Sequence, residues 1–156
     1  MNTGDVLERF EAEHDDALEA LERMEAAVAS LSSGASDTEV LATLREGQAY
    51  IATVLRRHND EEERALFSVL GSRAPTGLFV AHHAALRGLQ AELLGALEAA
   101  NVRAAASVAL SIVQLLRSHI DRENTALFPM ARRLLGAEGL AEVARRLSEI
   151  DDAASR

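Results

Sequence analysis

Two stretches of the chain, RHNDEEERALFSV at 57–69 and SHIDRENTALFPM at 118–130, align without a gap. Each sets a histidine and, one helical turn later, a glutamate on an otherwise apolar stripe, pairing His58 with His119 and Glu62 with Glu123. An unpaired ionised carboxylate in a core costs several kcal/mol or takes up a proton until it is neutral. The repeat therefore restricts the chain to folds that bring partners to these groups.

Alanine, leucine, glutamate and arginine dominate the 156 residues, with only 2 prolines and 3% aromatics, a composition that favours long packed helices. The expected class is all-α, in one domain over 1–156. The net charge of −9 comes without any separate basic cluster, so nucleic acid is not expected as a partner. The arginine pairs 56/57, 132/133 and 145/146 sit beside acids and read as solvated surface. Without cysteine there is no disulfide, thiolate site or sulfur nucleophile. The acidic N-terminus does not read as a leader, and the longest apolar run, AAASVALSIVQLL, is too short and too interrupted to span a bilayer. The expectation is a cytoplasmic protein.

Breaks at SLSSGASD, GSRAPTG and GAEG predict helices over 4–32, 38–70, 77–100 and 102–135, with a short fifth near 140–151. Steps of three and four give each helix a core stripe. Helix 1 carries Leu7, Phe10, His14, Leu18, Leu21, Met24 and Val28; helix 2 carries Leu44, Gln48, Ile51, Leu55, His58, Glu62, Ala65 and Val69. Helix 3 reads Leu78, His82, Leu86, Leu89, Leu93, Leu97, and helix 4 Val108, Ile112, Leu115, His119, Glu123, Ala126, Met130. EHDDALEAL (13–21) also aligns on AHHAALRGL (81–89), which pairs His14 with His82. His83 is then about 100° away and reads as a rim residue. Glu61 and Glu63 fall off the stripe as solvated acids, Tyr50 is a core residue or lends its hydroxyl to the site, and Pro129 should bend helix 4.

Each histidine lies about 17 to 20 residues from its turn, so tight turns bring them level within each pair; the link between helices 2 and 3 leaves about 10 Å for GSRAPTG to span. One core histidine alone is usually satisfied by hydrogen bonds. Four at one level with two carboxylates are explained most simply by a multivalent cation. His-x-x-x-Glu aims both side chains at one ion, and the full set of four nitrogens and two carboxylates is rich enough for two metals. Imidazole and carboxylate between bundle helices suit iron rather than closed structural zinc. The ferritin-like pattern of two Glu-x-x-His motifs is absent; only Glu11 to His14 fits it.

His14, His58-x-x-x-Glu62, His82 and His119-x-x-x-Glu123, with ALF at 65–67 and 126–128, resemble the hemerythrin-like HHE cation-binding family over about 14–130. The resemblance implies an up-down-up-down antiparallel four-helix bundle holding two iron ions in a non-heme di-iron centre with an oxo or hydroxo bridge. It implies metal ligands His14 and His58 on one iron, His82 and His119 on the other, and Glu62 and Glu123 as bridges. Respiratory-type members carry a further histidine one turn before the position of His82. Here that residue is Leu78, which favours five-coordinate irons and reaction with hydrogen peroxide or nitric oxide over reversible dioxygen carriage.

The expected function is binding of, or reaction with, dioxygen, hydrogen peroxide or nitric oxide, in the response to oxidative or nitrosative stress, by a monomer or weak homodimer. Peroxide disproportionation and reaction with nitric oxide are the candidate activities. Two alternatives stand beside it: an oxygen, redox or iron sensor or iron store without turnover, and a metal-free structural bundle.

Overall fold

Asp5 opens the first helix by accepting a hydrogen bond from Leu7 N–H (3.0 Å), and α1 then runs Val6–Ser30. The structure, a computed structural model, describes residues 4–156; Met1–Thr3, part of the N-terminus expected to lack a leader, lie outside the described residues. Ser36 caps the second helix through Glu39 N–H. That helix, α2 (37–70), joins Asp37–Tyr50, the π-helical Ile51–Leu55, Arg56–Glu61, the π-helical Glu62–Phe67 and Ser68–Leu70. α3 is Gly77–Glu98, and Asn101 caps α4 (102–154) by accepting from Ala104 N–H. α4 joins Val102–Arg122, the π-helical Glu123–Leu127 and Phe128–Ala154. Among the described residues there is no strand, and no helix is long and apolar enough to cross a membrane.

The four rods form a helical bundle in which neighbours run in opposite senses. His14 meets His58 while Met24, further along α1, meets Gly47, earlier in α2. Between α1 and α4 the series is Asp5 with Arg132, His14 with Asn124, and Glu25 with Arg117. Arg45 of α2 reaches the Leu97 carbonyl of α3, far from the contact of Glu62 with His83. Gly47 permits α1 and α2 to approach closely, since a Cβ there would lie 2.5 Å from Met24 Sδ.

The polar layer splits the core in two. Ala17, Leu21, Met24, Leu55, Leu86, Leu93, Ile112 and Leu116 lie on one side of it. Leu7, Phe10, Leu66, Leu70, Phe79, Leu127 and Phe128 lie on the other. Leu140, Val143, Leu147 and Ile150 pack onto this second cluster, where α3 extends only a short way beyond its histidines. The short fifth helix expected near 140–151 falls beyond Gly136 (φ 60°, ψ −169°), where the backbone leaves the helical region and two helices meet across a kink. Side chains other than glycine are strained there, so Gly136→Ala should destabilise by about 1–3 kcal/mol. Thermal melts of the two proteins check this, with the metal content expected to be unchanged.

The stripes of α2 and α4 depart from expectation beyond their glutamates. Ala65 is buried as expected, but the other buried positions after Glu62 and Glu123 move on by one, to Leu66 and Leu70 and to Leu127 and Ala131, whereas Val69 and Met130 are only half-buried and Ala126 is exposed. The cause is the wider π turn at each site, which inserts an extra residue and rotates the remainder of the helix. Pro129 follows one π turn, but Ser68 occupies the same place in the other half, so the distortion belongs to the repeat and not to the proline.

Candidate metal centre

α3 carries the largest difference from the sequence reading. Its buried positions are Phe79, His83, Leu86, Leu93 and Leu97; Leu78 is 46% exposed and His82 only half-buried. The two histidines have exchanged places: His83 faces the interior and His82 the rim. Successive steps of four, as in 78, 82, 86, drift by about 40° each, whereas the heptad 79, 86, 93 drifts by about 20°. A signal was present. Phe-x-Ala-x-His occurs at Phe10 to His14 and again at Phe79 to His83, and this register pairs His14 with His83.

His14, His58, Glu62 and Glu123 bring ligand atoms within 4.8 Å of one another, and so do Glu62, His83 and His119. The Nε2 atoms of His14 and His58 are 3.1 Å apart, and those of His83 and His119 are 3.3 Å apart. Glu62 lies between the pairs: Oε1 is 3.0 Å from His58 Nε2 and 3.6 Å from His14 Nε2, while Oε2 is 3.4 Å from His83 Nε2. Glu123 Oε1 also reaches both sides, 2.7 Å from His119 Nε2 and 3.3 Å from His14 Nε2. His82 contributes no atom to either group.

Both oxygens of Glu62 and of Glu123 are buried without a hydrogen bond. Buried carboxylates in that condition are costly, and a bound cation removes the cost. The imidazoles fit the same role. His14 Nδ1 lies 2.7 Å from Asn124 Oδ1; since the amide oxygen can only accept, Nδ1 carries a proton, and Nε2, facing the cluster, is the nitrogen that can exchange its proton for a cation. The residues present therefore fit a metal held by nitrogen and oxygen.

Electrostatics in the bare protein point the same way. Burial lowers the affinity of His14 and His58 for protons, but the glutamates overcome it, raising His14 to about 9 through Glu123 and Glu62 and His58 to about 10 through Glu62 and Glu13. Burial likewise opposes ionisation of Glu62, yet His58, His14 and His83 hold its carboxyl well below the usual range. In the absence of a cation the site gathers protons to neutralise its own carboxylates.

All four phenylalanines of the chain sit on these histidines. Phe128 stacks on His14 and Phe67 on His83, while Phe10 and Phe79 meet His58 and His119 edge-on. They wall the layer against water on the second cluster's side.

Two acids flanking Glu62 are not simply solvated. Glu61 is 1% exposed and accepts a hydrogen bond from Arg9 (3.0 Å), an α1 residue far away in sequence; burial raises its pKa against the pull of Arg9 and Arg57. Glu63 stands behind His83, Oε2 to Nδ1 3.5 Å. Arg132, read as surface, holds both Asp5 and Glu11. Tyr50 packs half-buried on the first core cluster, lining a cavity of about 50 Å³ with Met24 and Gly47.

The model of the hemerythrin HHE cation-binding domain matches residues 2–70 and 74–156. The chain belongs to the hemerythrin HHE cation-binding family. No curated protein and no solved structure matches it. The two matched segments meet at 71–73, between the two halves of the internal repeat, so each half of this hemerythrin-like protein brings two histidines and one glutamate to its metal-binding cluster.

Proposed function

We propose that this hemerythrin-like protein, one domain over 1–156, holds a non-heme di-iron centre that binds or reacts with a small oxidant, dioxygen, hydrogen peroxide or nitric oxide. The observation that carries the reading is the shared carboxylate: Glu62 presents one oxygen to His14 and His58 and the other to His83. In this proposal His14 and His58 hold one iron, His83 and His119 the other, and Glu62 and Glu123 bridge. His83 takes the terminal place that the sequence alone assigned to His82.

Iron at such a site supplies Lewis-acid and redox chemistry toward a small oxidant. The chain fixes the rest. Phe10, Phe67, Phe79 and Phe128 pack on the histidines and exclude water from that side of the layer. With His83 inward, the residue one turn earlier is Phe79, so neither register offers a fifth histidine to the cluster. That supports chemistry with peroxide or nitric oxide over reversible carriage. A role in oxidative or nitrosative stress, in the cytoplasm and as a monomer or weak dimer, completes the proposal.

Purified iron-loaded protein mixed with hydrogen peroxide, with dioxygen release followed at an electrode, tests turnover. Catalytic dioxygen release over many equivalents is expected. Binding or oxidation limited to one equivalent would instead favour the sensor or store.

A further inference from the structure

Each inward imidazole has its outer nitrogen backed by a second residue. His14 Nδ1 is 2.7 Å from Asn124 Oδ1, His58 Nδ1 is 3.5 Å from Glu13 Oε1, His83 Nδ1 is 3.5 Å from Glu63 Oε2, and His119 Nδ1 is 3.1 Å from His82 Nδ1. All four backing residues sit next to an inward ligand of another helix: Glu13 beside His14, Glu63 beside Glu62, His82 beside His83, Asn124 beside Glu123. One residue before or after an inward ligand is turned by about 100° around the helix, which carries the side chain past the metal layer to the back of the next helix's imidazole. In the Phe-x-Ala-x-His register Glu13 corresponds to His82, and in the His-x-x-x-Glu repeat Glu63 corresponds to Asn124. The pattern is two-fold in position, with both carboxylates in the first half and both neutral groups in the second, and each histidine pair is backed by one carboxylate and one neutral group.

We infer that His82 is a positioning residue for the proposed centre: its Nδ1 accepts the hydrogen bond from His119 Nδ1–H and so fixes His119 with the Nε2 lone pair turned to the metal. The inference rests on the di-iron reading for its consequence but on the structure alone for the bond. His82 is the one member of the four that can either donate or accept at the atom facing its ligand, so it serves only with its own proton on Nε2. Phe79 holds both rings, edge-on to His82 at 6.1 Å and to His119 at 5.6 Å. Outer partners of this kind fix the tautomer and orientation of a metal-bound imidazole.

Asparagine places its Oδ1 where a histidine has Nδ1, so His82→Asn keeps an acceptor and His82→Leu removes it. Anaerobic ferrous titration of full-length wild type and both variants is the experiment. His82→Leu should weaken one of the two irons by roughly 10–100-fold and leave the other near wild type, giving a biphasic curve. His82→Asn should restore the wild-type curve within a few fold. Two irons bound by His82→Leu as by wild type would overturn the inference, and so would failure of His82→Asn to rescue. Proton–nitrogen spectra of the metal-free proteins read the bond without iron. A slowly exchanging His119 Nδ1–H is expected in wild type and His82→Asn, and its equal protection in His82→Leu would overturn the inference. If wild type binds no iron pair, the di-iron reading fails, while these spectra still decide the hydrogen bond.

Discussion

Glu62→Ala is expected to abolish the iron pair, lowering iron from about two to one or none per chain and removing charge-transfer absorption. Glu62 is fully buried, reaches three of the four inward histidines, and has no hydrogen bond at either oxygen. Losing an outer partner costs a metal site about 10–100-fold in affinity, and losing a shared inner ligand costs more. The same change in Glu123, which reaches His14 and His119, should also disrupt the pair. Elemental analysis and circular dichroism of the variants check this. A folded Glu62→Ala protein with the wild-type iron content would remove Glu62 from the bridge.

The second large effect is the opposite pH response of metal-free and metal-loaded protein. His14 and His58 have folded-state pKa values of about 9 and 10 against an ordinary 6.5. Groups raised in this way stabilise fully below about 6.5 and lose that contribution as pH rises through 9 to 10. The two draw on the same Glu62, so the loss is on the order of 3–5 kcal/mol in total, less than their separate sum. Glu62, held low, contributes above its ordinary 4.5 and loses its contribution as pH falls through its depressed value. Metal-free protein should therefore melt at its highest temperature between about pH 5 and 6.5 and weaken toward pH 10. Metal competes with protons for these imidazoles, so loading releases protons and is favoured as pH rises. The gap in melting temperature between loaded and stripped protein should widen from pH 6 to pH 9. Parallel curves would show that the metal does not bind at His14 and His58.

The all-α class, the helix positions within a few residues, and the gathering of His14, His58, Glu62, His119 and Glu123 were legible because each histidine and glutamate interrupts an apolar stripe that needs an explanation. Local periodicity failed at α3, where two adjacent histidines both fit steps of three and four, and only the Phe-x-Ala-x-His repeat separates them. The π turns carry no local mark, since one half has Pro129 and the other Ser68 at the same place. Nor could the burial of Glu61 be read locally: it depends on Arg9, brought to it by the pairing of α1 with α2. Contacts made only by tertiary packing, the partnership of His82 with His119 among them, leave no periodic trace.

The central claim is that two buried histidine pairs joined by Glu62 and Glu123 hold two irons. Elemental analysis of freshly purified, untagged protein, with its visible and near-ultraviolet spectrum, tests it most directly. About two irons per chain with oxo-to-iron bands is the predicted result. Folded protein that takes up no metal, even with ferrous iron added anaerobically, would contradict it and make the histidine layer a proton-neutralised core.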